Sequence, residues 1–253
     1  MKKRWIKGAA SIAALLFWIL VWHLVASEVK MSLILPKPGE VLLRLWELGQ
    51  TKEFYETLFS SLLRISEGYL AGIAAGIAMG YLAYRFSFFD VLIRPLMSTV
   101  RATPVASFIL VVWLWMERDG VPAFISFLMV LPIVWQNTIL GFQKRDPRLG
   151  EMARVFCFGK WKTFLRVDLP QVLPFLFSSA KTGLGLAWKA GVAAEVLALP
   201  RVAIGRMIYN AKMYLETVDL YAWTLAIILL SMALERFVGL ILKARGGHGH
   251  AEH

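Results

Sequence analysis

Six basic residues fall within or against stretches that are otherwise oily: Arg64, Arg94, Arg101, Lys181, Lys189 and Arg236. Charge at membrane depth is costly and is kept where it faces protein, water or a passing ion. The chemistry open to Arg64, Lys181 and Lys189, with Glu195 in the same stretch, is therefore electrostatic, the attraction and release of an anion. A structural reading stands beside it. Arg64 is three residues from Glu67, Glu195 can offset a lysine on another helix, and lysines near span ends snorkel to the interface. Covalent chemistry finds little support. The chain has no Gly-x-x-x-x-Gly-Lys-Ser/Thr phosphate loop and no His-Glu-x-x-His, and Cys157 is its one cysteine, so no catalytic residue, metal site or disulfide framework is assigned. His23 reads as an interfacial or packed histidine, and His248, His250 and His253 as part of a flexible tail at 246–253.

The elements that position these charges follow from hydropathy. The 253 residues are 58% hydrophobic and 18% charged, with 10 Trp, 16 Phe and a mean hydropathy of +0.61, which is too oily for a soluble domain of ordinary composition. Gly8 to Ser27 is an uncharged run of 20 residues behind Lys2, Lys3, Arg4 and Lys7. At 1.5 Å per residue it matches a hydrocarbon core of about 30 Å, and it exceeds the apolar stretch of a cleaved leader. Val121–Gln143 and Leu220–Leu234, continuing to Leu242, are two more runs of this kind.

Three further spans are interrupted. Phe59–Tyr84 carries Gly68, Gly72, Gly76 and Gly80 on one helix face, and Gln171–Leu199 carries Ser179, Gly183, Ala187 and Gly191 at the same spacing. Small residues every four positions let helices approach closely, either to rock and slide or as static packing. Phe86–Met116 is broken by Pro95 and Pro104, which predicts a short helix, a bend around Arg101 to Pro104 and a span from Val105. Gln136 and Asn137 in the fourth span read as interhelical hydrogen-bond partners. The expectation is an all-α polytopic protein of six transmembrane helices. Residues 1–58 would hold the first helix, an external loop and an amphipathic interfacial helix at Glu40–Leu48, and residues 59–245 the core.

With six spans both termini share a side. Sorted on this topology, 14 of the 28 basic residues lie on the side of the termini, eight opposite and six at membrane depth. The positive-inside rule makes the termini cytoplasmic, and with them the loop 144–170. The formal charge of +11 is thus mainly a topology signal and does not call for a nucleic-acid partner. Within that loop, Met152, Val155, Phe156 and Phe164 offer an apolar surface while Arg154, Lys160, Lys162 and Arg166 stay solvated. Such a helix suits either a partner groove or the inner leaflet.

The loop resembles the cytoplasmic "EAA" loop of the permease subunits of ATP-binding-cassette importers that work with a substrate-binding protein. Glu151, Ala153, Val167, Leu169 and Pro170 fall in register with the family pattern, Met152 replaces its first Ala, and Cys157 stands where its Gly belongs, with Gly159 two residues on as an alternative turn. Leu35 to Val41, Ser60 to Arg64, Arg101 to Pro104 and Ala187 to Glu195 look like recurring segments of the nitrate, sulfonate, taurine and bicarbonate branch. The resemblance implies the type I importer permease architecture in a bacterial or archaeal cytoplasmic membrane. It also implies a second copy of the chain, two separate ATPase subunits that bind the ATP and Mg, and an extracytoplasmic binding protein. On this resemblance Glu151, Ala153, Cys157, Gly159, Leu169 and Pro170 serve ATPase coupling by a coupling helix. Arg64, Lys181, Lys189 and Glu195 are candidates for the solute pathway, and the glycines at 68, 72, 76, 80, 183 and 191 for packing. The solute is expected to be a small anion; a pyrimidine or flavin precursor, or an ATP-independent transporter, are the alternatives.

Overall fold

The computed structural model describes residues 2–29, 31 and 33–246, so the tail histidines lie outside the described residues. All regular elements among them are helical: α1 (Lys2–Val29), α2 (Pro38–Leu48), α3 (Lys52–Arg85), α4 (Ser87–Ala102), α5 (Val105–Trp113), α6 (Val121–Gln143), α7 (Pro147–Val155), α8 (Lys160–Thr163), a π-helical turn (Phe164–Asp168), α9 (Leu169–Ala198), α10 (Ile204–Met213) and α11 (Thr217–Gly246).

Among the described residues three helices are long and apolar enough to cross a membrane, α3, α6 and α11; α4 and α5 together make a fourth if their bent pair is one span. The bend of 104° falls at Thr103-Pro104, where the proline removes a backbone donor and pushes its neighbour out of the helical region. α5 has nine residues and rises only roughly 13 Å, so the expected straight span from Val105 to Met116 is too short to cross by itself. The domain boundary expected at residue 58 falls inside α3, whose N-cap Thr51 accepts a hydrogen bond from the Phe54 N–H.

Packing concentrates on α3, α6 and α9. Where α3 meets α6, a Cβ on Gly68 would collide with the Ala123 backbone, and one on Gly76 or Gly80 would lie 2.7 Å from Val134 Cβ or 2.6 Å from Thr138 Cβ. The missing side chains are the space into which the facing β-branched residues fit. Gly191 of α9 packs on Ser126 and Ile65, and Ser126 Oγ donates to the Ala187 carbonyl. A core of Ile65, Tyr69, Val130, Val134, Leu184, Trp188 and Val192 fills the three-helix unit. α10, which hydropathy alone leaves as loop, packs across α9 and α11 with Ile204 fully buried. The amphipathic α2 is latched to the start of α11, because Arg44 Nε and Nη2 donate to the two carboxylate oxygens of Asp219. That bidentate pair, with Glu47, holds the guanidinium above its ordinary pKa.

Candidate functional site

The candidate residues separate into two ends of the three-helix unit. At one end Glu195 of α9 is fully buried. Its Oε1 accepts from Arg64 Nη1 at 2.8 Å, and its Oε2 accepts from Ser61 Oγ at 2.9 Å and from the Gly205 N–H at 3.2 Å. Ser61 Oγ in turn accepts from the Ile204 N–H at 2.9 Å. Arg64 also donates to the Val202 carbonyl at 3.2 Å and lies 3.9 Å from Asp119, which accepts from the Arg201 N–H. Every oxygen of this buried carboxylate has a donor, and its charge has a cation; both conditions make such a group tolerable in a low-dielectric site. Gly205 permits the approach, since a Cβ there would strike the Glu195 side chain and the Val196 backbone. Of the two readings open for Arg64 and Glu195, the geometry matches structural pairing. The partner of Arg64 is Glu195, 131 positions away, and not Glu67.

Lys181 and Lys189 do not join this pair. Lys189 is exposed on a stripe of α9 shared with Thr182, Leu186, Ala193 and Leu197. Lys181 opens onto a crevice of about 450 Å³ between α9 and α11, lined also by Glu235 and Arg236. Gly185, near the middle of α9, faces the Glu235 carboxylate, which puts this group of charges halfway along the helix. Gln136 accepts from Arg101, joining α6 to α4, whereas Asn137 donates to the Ile133 carbonyl of its own helix. His23 is exposed on α1.

At the other end lies the loop. Asp146 caps α7 by accepting from the Arg148 N–H, and Pro147 occupies the first turn, where its missing donor costs nothing. Ala153 is the one residue of α7 that is buried, at 1% exposure, while Met152, Val155 and Phe156 of the expected apolar surface are exposed, as are Leu149 and Trp161. Glu151 is exposed at the edge of a cavity of about 850 Å³ beneath the loop. The chain turns out of α7 two residues beyond its end, at Cys157, whose φ of 52° is left-handed. The Cys157 N–H donates to the Arg154 carbonyl and the Phe158 N–H to the Ala153 carbonyl, both at 2.9 Å. These are the two hydrogen bonds of a Schellman helix end. The alternative turn at Gly159 is corrected by this geometry: Gly159 has an ordinary φ of −62° and open space where a Cβ would project. Cysteine performs the turn at the position where the resemblance led one to expect glycine, at a cost of about 1–2 kcal/mol for a left-handed non-glycine residue. Leu169 and Pro170 form the first turn of α9, the position proline tolerates best.

The neck of the loop holds residues that spacing did not single out. Arg145, just after α6, lies 2.5 Å from Asp168, just before α9, and also donates to Tyr84 Oη of α3. The sequence carries charges of both signs at each end of the loop, Lys144, Arg145 and Asp146 at its start and Arg166 and Asp168 at its end, and nothing in a pattern of this length fixes which of them pair.

Comparison with known proteins gives the family of the chain. Residues 72–244 match the family of binding-protein-dependent transport system inner membrane components, and the chain belongs to that family. It is 31% identical over 216 residues to the nitrate import permease protein NrtB of Leptolyngbya laminosa, covering 78% of this chain and 74% of that protein. It is 27% identical to the putative aliphatic sulfonates transport permease protein SsuC of Bacillus subtilis, covering 94% and 85%. To the bicarbonate transport system permease protein CmpB of Synechococcus elongatus it is 25% identical, covering 90% and 85%. Among solved structures, a bacterial ABC transporter involved in the import of the acidic polysaccharide alginate matches with a TM-score of 0.57 at 14% identity, covering 96% of each chain. At that identity the likeness extends to the fold.

Proposed function

We propose that this chain is the permease subunit of an ATP-driven importer, that two copies enclose the solute pathway, and that α7 is the helix that docks on a separate ATPase subunit. The observation that carries the reading is the loop itself. A short helix stands at the end of the bundle with Met152 and Val155 exposed on it, Phe156 exposed just after it and Trp161 exposed on α8, and the loop that carries them is joined to two helices of the packed core. An apolar helix face of this kind suits a groove in a partner. Closure of that partner would move the helix, and with it α6 and α9, shifting the balance between inward-open and outward-open states. Six crossings with cytoplasmic termini, and a binding protein delivering solute from outside, belong to the same proposal. One of the alginate importer structures was solved in complex with a periplasmic protein, a precedent for such delivery on this fold.

The solute we infer to be a small anion. The relatives' names point that way, and Lys181 and Lys189 remain exposed on α9 while Arg64 is neutralised by Glu195. The test is reconstitution with an ATPase subunit and a binding protein sought among the neighbouring reading frames, followed by uptake of nitrate, taurine and bicarbonate. ATP-dependent accumulation of one of them is expected, with Lys189→Ala lowering uptake several-fold while assembly stays intact. Accumulation without ATP would replace the importer reading by secondary transport, and unchanged uptake by the Lys189 variant would remove that lysine from the pathway.

A further inference from the structure

The mouth of the cytoplasmic loop is closed by side chains from three helices. Arg145 Nη1 lies 2.5 Å from Asp168 Oδ1, with both side chains about three-quarters buried. The same guanidinium donates through Nη2 to Tyr84 Oη and through Nε to the Phe142 carbonyl, and it lies 5.2 Å from the centroids of both the Tyr84 and Phe142 rings. One residue along, the Asp146 N–H donates to Gln171 Oε1 at 2.7 Å, and Gln171 Nε2 donates to the Val167 carbonyl. The first and last residues of the loop are thus tied to each other, to the end of α3 and to the start of α9.

This matters because α7 has little other support. Ala153 is its one buried residue, its packing is against the π-helical turn, and the cavity of about 850 Å³ separates it from the helix ends. A force applied to the exposed face of α7 therefore reaches the bundle through the π-helical turn and the neck. Without the tie, α6 and α9 would be joined to the loop by single strands of backbone, and α3 would keep the edge contact of Tyr81 on Phe164, 6.3 Å between ring centroids, with no charged or hydrogen-bonded link to the neck.

We propose that Arg145, with Asp168 and Tyr84, is a positioning unit that makes the cytoplasmic ends of α3, α6 and α9 follow the loop as one body. The inference rests on the importer reading, and its role is transmission, not attachment. Planar bidentate-capable geometry and ring stacking suit arginine to this task, and lysine lacks both.

The experiment uses the full chain assembled with its ATPase in nanodiscs, carrying Cys157→Gly, which suits the left-handed backbone there, and a reporter Thr182→Cys on the exposed face of α9, once this parent complex is shown to hydrolyse ATP as that of the unaltered chain does. The rate of maleimide labelling at residue 182 is measured with and without ATP plus vanadate, beside ATP hydrolysis and copurification of the ATPase. With the neck intact, ATP plus vanadate should change the labelling rate. Arg145→Gln and Asp168→Asn should each reduce that change about fivefold or more while the ATPase still copurifies and hydrolyses ATP. The exchanged pair Arg145→Asp with Asp168→Arg should recover part of the response, which a loss of fold would not allow. A full response in both single variants overturns the proposal, as does failure of assembly in both with no recovery in the exchanged pair. If the parent complex shows no response to ATP, the importer reading itself falls, a different outcome from a responsive parent with unaffected variants.

Discussion

Glu195 illustrates how a charged residue in an apolar stretch acquires a structural meaning once its partners are known. Its carboxylate joins α3, α9 and α10 through Arg64, Ser61 and the Gly205 N–H. Removing one partner leaves the other charge buried and uncompensated, at a cost of about 3–5 kcal/mol, whereas replacing both with apolar groups of similar volume is often tolerated. Glu195→Ala should therefore lower the melting temperature of the purified protein strongly, and Arg64→Met combined with Glu195→Leu should recover much of the loss. If Glu195→Ala melts as the parent does while transport fails, the pair belongs to the solute route instead. None of this pairing was legible in the sequence, because Arg64 has Glu67 within one helical turn and nothing local favours a carboxylate 131 positions on.

The helices themselves were far more legible, for reasons particular to each. Pro104 announced the break between α4 and α5, the amphipathic helix expected at Glu40–Leu48 is α2 with its start two residues earlier at Pro38, and the four-residue glycine spacing identified the face of α3 that meets α6. What spacing left undecided was whether that face slides or locks. The Cβ positions show glycines filled by Val130, Val134 and Thr138 with no clearance, so in this state the face locks. Gly76→Leu should then prevent α3 from seating on α6, seen as loss of folded protein on detergent extraction, while Gly159→Ala in open space should extract normally. Normal folding of Gly76→Leu would mean the two helices separate more readily than their contact implies. α10 escaped sequence reading because its ten residues are mixed in polarity and owe their helix to packing on α9 and α11.

At the scale of the whole molecule the distribution of charge makes a claim about orientation that the chain can report on by itself. Its single cysteine lies in the loop and is exposed. A membrane-impermeant maleimide should label inside-out vesicles and spare right-side-out ones, and added ATPase should slow the labelling. Labelling from the outside would invert the topology and remove the coupling role of α7. Likeness in fold to an alginate importer at 14% identity, beside relatives named for nitrate, sulfonate and bicarbonate, shows the same architecture associated with very different cargo.

The left-handed backbone at Cys157 has an evolutionary corollary. A cysteine codon changes by one nucleotide to serine, arginine, glycine, tyrosine, phenylalanine or tryptophan, and among these glycine alone adopts a φ near 52° without steric conflict. The position is therefore asymmetric under drift. A step to glycine relaxes the helix end, and every other step keeps the strain while exchanging a small side chain for one with a different demand for space or solvent. Lineages carrying cysteine here are held one mutation from a more relaxed loop, with the two hydrogen bonds of the helix end keeping the strained form in place until that step is taken.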